Sequence, residues 1–307
     1  MKVTKLGALA FAFALTFLFV SSAYTENIYS SAVQEYHDLL SHRESILTSS
    51  DGLWKYFLLS DQTVFVQQYE KYMDEHVTVP EQIDGHPVVG LGHGFLADSN
   101  VRTIDIPDTV RYVGSIGYSS GINSIQLPDS VEEIFGSILP ETYLSSIELP
   151  AHLKFLCKDA FIFTDIRELT LPDSLEYIGG NPLPEIRIEA LHLSENHPYF
   201  ELVNGMLISK QDHRLLVYVN TSEAETCLVP EGVEIIEDFA FCMAKNLKTV
   251  ILPDSVSRIE QYAFEFCTAL EHVRLPKNSI YIDENAFYFC NALSALDLPT
   301  NEKRNEK

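Results

Sequence analysis

Leu247-Lys-Thr-Val-Ile-Leu-Pro-Asp-Ser-Val-Ser-Arg-Ile-Glu-Gln-Tyr-Ala-Phe-Glu-Phe-Cys-Thr-Ala-Leu270 decides the fold, because it holds one complete unit of a repeat and the first residue of the next. Val250 and Leu252 are two apart, so on an extended strand both enter a core while Thr249 and Ile251 face water. Pro253 stops the strand, since it fixes φ and has no N–H to donate. Asp254-Ser255 suits a turn. Val256 and Ile259 add two apolar positions, Ala263-Phe264 follows, and Leu270-Glu-His-Val273-Arg-Leu275-Pro276 begins the plan again.

Reading outward, the apolar–proline step recurs at Val79-Pro80, Ile106-Pro107, Leu127-Pro128, Leu149-Pro150, Leu171-Pro172, Val229-Pro230, Leu252-Pro253, Leu275-Pro276 and Leu298-Pro299, with Leu183-Pro184 out of phase. From Pro107 the prolines are 21, 22 and 22 residues apart, and from Pro230 they are 23, 23 and 23 apart. A step of 22 from Pro172 lands on Ser194, behind Leu193, where a unit has kept its leucine and lost its proline. A fixed period in the low twenties is the mark of a solenoid. One such coil cannot bury its apolar side alone, but stacked coils align like residues in columns that shield one another. The expected fold is therefore a β-rich repeat solenoid with a parallel sheet.

The unit L-x-x-[VI]-x-L-P-x-x-V-x-x-I-x-x-x-A-F-x-x-C resembles the BspA-type bacterial leucine-rich repeat, from Val101 to Pro299. Glu260–Leu270 and Asp283–Leu293 match it best. Trp54 to Gly92, with Thr78-Val-Pro-Glu-Gln-Ile-Asp-Gly-His-Pro-Val88, resembles the family's amino-terminal module. Glu195 to Glu231, with Asn196-His-Pro-Tyr-Phe and Val203-Asn-Gly-Met-Leu-Ile-Ser-Lys210, resembles its hairpin insert. The early units depart from the pattern, with Gly117-Tyr118 and Asn181-Pro182 where Ala-Phe should stand, so looser or different packing is expected there. The resemblance implies export, adhesion and host contact, and brings no catalytic residues with it.

Residues 1–23 have the order of a secretory signal: Lys2 and Lys5, the apolar run Leu6–Val20, then Ser21-Ser22-Ala23. Removing it takes away two lysines and no acid, moving the formal charge from −23 to −25. Such a surface repels nucleic acid and anionic lipid and favours solubility. Residues 24–78 are expected to form a helix (about Ser30 to Thr48) and a hairpin of Trp54–Leu58 with Thr63–Val66, capping the first coil. Repeats follow over 79–194, an inserted hairpin over 195–229 (Met206–Ile208 with Leu215–Val219), further repeats over 230–300, and a charged tail without fixed structure over 301–307. Cys157, Cys227, Cys242, Cys267 and Cys290 form no zinc spacing, and their odd number prevents complete pairing. They read as small buried hydrophobes, with Cys267 and Cys290 close enough in one column to pair.

Several patterns suggest chemistry and lack its context. Gly117-Tyr-Ser119-Ser-Gly121 fits a nucleophile elbow but sits in a repeat turn rather than between strand and helix. His37 and His42 miss the spacing of a helical zinc pair. Gly90-Leu-Gly92-His-Gly94 lacks the third glycine of a dinucleotide loop. Asp108, Asp129, Asp173 and Asp254 line one edge where calcium could sit, although turn chemistry alone accounts for them. Asn220-Thr221-Ser222 is a glycosylation sequon.

The positions two and four before each proline are expected to form one continuous outward sheet face. The nearer column runs Asp105, Gln126, Glu148, Thr170, His192, Ile251, Arg274 and Asp297. The farther runs Thr103, Ser124, Ser146, Glu168, Ala190, Thr249, His272 and Ala295. Of these, Asp105, Gln126, Glu148, Glu168, Thr170, His192, His272 and Arg274 are the candidate ligand contacts. The expected function is a monomeric, cofactor-free binding protein for an extracellular protein or glycan, with no catalytic or metal residues. A structural envelope role, or a hydrolase built on Ser119 or an Asp/His pair, are the alternatives.

Overall fold

The computed structural model describes residues 29–97, 99–117 and 121–297. A regular coil lays down two short parallel strands, not one. The first holds the L-x-x-[VI]-x-L core: Glu168–Thr170, Ala190–His192, Thr226–Leu228, Thr249–Ile251, His272–Arg274 and Ala295–Asp297, preceded by His76–Thr78 and Thr103–Asp105. The second is only two residues long and carries the apolar residue six past the proline: Tyr112–Val113, Glu133–Ile134, Phe155–Leu156, Tyr177–Ile178, Ile235–Ile236, Arg258–Ile259 and Tyr281–Ile282. Between these two walls lies the core, where Val250, Ile259, Phe264 and Val273 are all fully buried.

The outward sheet is not continuous. It comes in three pieces, His76–Thr78 with Thr103–Asp105, Glu168–Thr170 with Ala190–His192, and a four-stranded ladder from Thr226 to Asp297. Residues 124–126 and 146–148 form no strand. Both follow turns without Ala-Phe (Gly117-Tyr118 and Ile138-Leu139), although Ala190–His192, which follows Asn181-Pro182, keeps its pairing with Glu168–Thr170. Where Ala-Phe is present, the corner is regular. Phe241, Phe264 and Phe287 stack at centroid distances of 4.8 and 5.0 Å, with Phe241 and Phe264 donating their N–H groups to the carbonyls of Ala263 and Ala286. The corner is tight enough to hold Phe163, Met243, Phe266 and Phe289, each two past the phenylalanine, at φ between 55 and 61°. A non-glycine residue tolerates that left-handed region only when its surroundings impose it.

The Pro-Asp-Ser turn also ties coils together. Asp129, Asp173 and Asp254 accept hydrogen bonds from the next coil, from Ala151 N–H (3.3 Å), the Ser194 hydroxyl (2.6 Å) and Lys277 N–H (3.0 Å). Ser130, Ser174 and Ser255 donate backwards to the carbonyls of Val110, Leu153 and Val233, each at 2.7 Å. A turn signature in the sequence is thus an inter-coil stitch in space.

The first coil is closed by the amino-terminal cap. Its helix spans Ser31–Leu40, with the Ser30 hydroxyl accepting from Val33 N–H, and stops well before Thr48. Ser41-His-Arg-Glu-Ser45 offers no apolar side to bury, so the chain turns there, and Leu47–Thr48 pairs antiparallel with Trp54–Leu58 instead. That strand pairs with Val64–Tyr69, which runs parallel to His86–Leu91 and so leads into the second wall at Tyr112–Val113. Tyr36, Phe57, Phe65 and Phe135 pack the joint, and the Tyr36 hydroxyl donates to Gln67 Oε1 at 2.7 Å while accepting from His93 N–H at 2.8 Å. Gly90 and Gly92 serve this packing. A Cβ at Gly90 would stand 2.3 Å from the Phe65 ring, and one at Gly92 2.4 Å from the Tyr36 hydroxyl.

The insert interrupts both walls. Phe200–Val203, Met206–Ser209 and Arg214–Tyr218 form an antiparallel three-stranded unit, one strand more than the sequence suggests, and the last strand runs parallel to Ile235–Ile236. The unit stands between two hydrophobic cores: Leu207, Leu216 and Val217 join the first, and Met206, Ile208, Leu215 and Tyr218 the second. No strand pairing crosses from Tyr177–Ile178 to the insert or from Ala190–His192 to Thr226–Leu228. Side chains cross instead. Arg214, 8% exposed, bonds the Ile178 carbonyl (2.9 Å), Glu237 (3.0 Å) and Asp212, and lies over the Tyr177 ring at 4.9 Å. Lys158 reaches Asp238 at 2.8 Å, and Asn181 donates to the Phe239 carbonyl at 2.9 Å.

This seam makes a strong demand on Arg214, because removing one member of a buried pair leaves the other charge without compensation. Arg214→Ala is expected to lower unfolding free energy by about 3–5 kcal/mol, with Arg214→Met/Glu237→Gln recovering at least half of the loss. Urea denaturation followed by circular dichroism checks this. A single-variant loss below about 1 kcal/mol, the scale of an exposed pair, would remove the seam's role.

Candidate binding face

The residues expected on the outward face are placed on it. Asp105, Gln126, Glu148, Glu168, Thr170, His192, His272 and Arg274 are all exposed, while the residues between them, such as Leu169, Leu191 and Val273, are buried. Alternation along each strand explains this, since successive side chains leave opposite sides of the wall. Strand pairing sets the neighbours: Glu168 beside Ala190, Thr170 beside His192, Thr249 beside His272 and Ile251 beside Arg274. His192 Nε2 lies 3.6 Å from Glu168 Oε2. Residues 124–126 and 146–148 carry Gln126 and Glu148 outside any ladder, so the eight residues belong to one side of the molecule but not to one sheet.

Two coils on this side escaped the sequence reading of the face. His76 and Thr78 stand before Pro80, and Thr226 and Leu228 stand before Pro230, in the same registers as the rest. Their signal was available, because Val79-Pro80 and Val229-Pro230 mark the same strand end. His76 is the most connected residue there. Its Nδ1 lies 2.8 Å from Thr103 Oγ1 and its Nε2 3.2 Å from Asp105 Oδ2. This Thr–His–Asp line is on the open surface, with both His76 and Asp105 more than half exposed. The Asp254 carboxyl is held below its usual range by the Lys277 N–H and ammonium, with Arg274 contributing.

The other chemical patterns take structural roles. His37 stacks on His93 at 5.8 Å, whereas His42 contacts the Asp38 carbonyl, so the two histidines of the helix do not converge. Asn220 of the sequon is held inside the seam. Its amide donates to the carbonyls of Ile186 (2.8 Å) and Cys242 (3.1 Å), and its oxygen accepts from Ile188 N–H (3.1 Å). Ser119 lies outside the described residues. Among the described residues no group of His, Cys, Asp or Glu is arranged to hold a metal ion, and no helix is long and apolar enough to cross a membrane. Two shallow grooves lie among the described residues. One, of about 280 Å³, is lined by Glu185, Met243, Lys245, Phe266 and Thr268. Nearby, burial lifts the Glu265 carboxyl to about 7, with Glu185 adding to the effect, and Glu265 accepts from the Cys242 thiol at 3.9 Å. The other groove, of about 260 Å³, lies between the insert and the turn from Pro230 to Val233.

The sequence profile described as "BspA type Leucine rich repeat region" matches residues 91–201 and 217–306, in six copies. The chain belongs to the BspA-type leucine-rich-repeat family. Among solved structures it is similar to the pneumococcal vaccine antigen PcpA, at 18% identity and a TM-score of 0.60, covering 82% of this chain and 81% of that one. A leucine rich cell surface protein from Faecalibacterium prausnitzii is similar at 19% identity and a TM-score of 0.44, covering 84% and 96%. A leucine-rich repeat protein from Bacteroides ovatus follows at 20% identity and 0.43, covering 81% and 88%. At 18% identity the likeness to PcpA is one of fold. No curated protein matches the sequence.

All five cysteines are free thiols, Cys290 half-buried and the other four buried. Cys267 and Cys290 occupy one column and donate to the carbonyls of Phe241 (3.1 Å) and Phe264 (3.0 Å). Burial pushes the Cys227 and Cys242 thiols up to about 12, which suppresses the reactive thiolate. Iodoacetamide added to the folded chain without reductant is expected to label Cys290 first and the other four only after unfolding. Mass spectrometry reads this directly. Absence of both Cys267 and Cys290 from the labelled set in denaturant without reductant would contradict free thiols.

Proposed function

We propose that the chain is exported through the leader at residues 1–23 and works as a secreted or cell-surface binding protein. It holds an extracellular protein or glycan partner against the outward side of the solenoid. One observation carries the reading. From His76 to Arg274 the outward columns place exposed polar side chains in every coil that forms them but that of Thr249–Ile251, on a surface that core packing does not require. Repeat folds present extended faces of this kind to large partners. Family membership and the likeness to a vaccine antigen agree with a location outside the cell. The strong acidity, −23 overall, steers basic partners towards the chain and nucleic acid away from it.

Candidate contacts are Glu148, Glu168 and Arg274, flanked by Asp105, Gln126, Thr170, His192 and His272. Replacing Glu148, Glu168 and Arg274 together by Gln is expected to abolish capture of the partner from host or matrix extracts while leaving the melting temperature unchanged. Exposed strand positions contribute little to stability, so folding and capture separate cleanly. Capture by the triple variant at wild-type level would move the site off this face.

A further inference from the structure

Apart from the small Ala190 and Ala295, the outward columns are polar except at one place. Leu228 is 59% exposed, and its register partner on the next strand is the half-buried Ile251. Thr226 and Thr249 lie beside them in the farther column, and Arg274 follows Ile251. An apolar side chain standing on a polar wall gains nothing from the core, and Leu228 and Ile251 together make a small apolar platform in the middle of a face that otherwise suits water.

The strand that carries Leu228 leads to a groove. Two residues beyond Leu228, Pro230 begins the turn that, with the insert, encloses about 260 Å³. Ile208 and Val233 give this groove an apolar floor, and Glu201 and Glu231 stand exposed along it. Among the described residues neither of these two carboxylates has a cation within ion-pair distance, and Lys210, the lysine of the groove, is tied to the His197 carbonyl at 2.7 Å. The groove thus sets two exposed carboxylates, Glu201 and Glu231, against one ammonium, Lys210, with His213 beside them, and its net acidic charge is complementary to a cation.

We infer that Leu228 and Ile251 are the anchor of the face and take an apolar side chain of a basic protein segment, whose neighbouring lysine or arginine enters the acidic groove at Glu201 and Glu231. The inference rests on the binding reading above and names the partner's chemistry. Interface energy concentrates in a few desolvated apolar contacts ringed by polar ones, which is the arrangement found here.

Competition with synthetic peptides tests it. The probes are an alternating Lys–Leu peptide, a Lys–Ser peptide and a Glu–Leu peptide, each measured against the wild-type chain, Leu228→Ser/Ile251→Thr, and Glu201→Gln/Glu231→Gln. The Lys–Leu peptide should bind wild type about tenfold or more tighter than either other peptide, and each double variant should lose about that factor. It should also displace the partner captured from extracts. Equal binding of the Lys–Leu and Lys–Ser peptides, or undiminished binding by Leu228→Ser/Ile251→Thr, overturns the anchor. If the Glu148/Glu168/Arg274 variant loses its partner while Leu228→Ser/Ile251→Thr keeps it, the binding face stands and the anchor falls. If both variants keep it, the face reading falls as well. Displacement of the partner by free oligosaccharide but not by the Lys–Leu peptide assigns the face to a glycan and overturns the proposal.

Discussion

Phenylalanine stacked on phenylalanine is the constraint from which the rest of this solenoid follows. Phe241, Phe264 and Phe287 lie nearly parallel, tilted by 9° at each step. Rings at that spacing and angle fix how far apart consecutive coils can sit. Because strand neighbours in a sheet lie about 4.7–4.9 Å apart, the ring column and the two strand walls share one step. Alanine before each phenylalanine keeps the corner narrow, and the left-handed residue two places later brings the chain round. Everything on the outward side inherits its position from this packing.

The insert shows what happens when the step is broken. Strand ladders stop on its amino-terminal side, its last strand starts the second wall again at Ile235–Ile236, and its alternating apolar side chains feed two cores at once. Backbone groups that would have paired in the next coil are met by Arg214, Asn181 and Asn220 instead. Buried polar groups need partners, and long side chains can reach across a gap that backbone cannot close. The break also reorganises the face. The coil after the insert exposes Leu228 where every other coil but that of Ile251 places a polar or charged side chain, and the groove lies at the turn that follows its strand.

The period, the strand ending at proline and the Ala-Phe corner were all legible in the sequence, because each depends on spacing and residue type within one unit. So was the outward column, since alternation on a strand is local. The second wall was not. Its strands are two residues long, too short to show any alternation, and only the paired apolar positions such as Val256 and Ile259 hinted at them. The helix was read too long because Leu47 keeps helical spacing from Leu40, whereas its actual use is in a strand against Trp54–Leu58. Asp254 and Ser255 read as turn residues, and nothing within one unit reveals that each bonds a different neighbouring coil. The breaks in the outward ladder at 124–126 and 146–148 were not legible, since Asn181-Pro182 lacks Ala-Phe as the turns before them do and Ala190–His192 still pairs. Leu228 was missed although Val229-Pro230 marked its strand.

The central claim is that matched columns, above all the phenylalanine stack, hold the coils in register and leave the outward side free. Equilibrium denaturation of Phe264→Ala, beside Phe289→Ala at the exposed end of the neighbouring column, tests it most directly. Fully buried Phe264 should cost about 3–5 kcal/mol on truncation, and Phe289, 45% exposed, well under half of that. Equal and small losses, near 1 kcal/mol for both, would mean that the coils are not held by this stack.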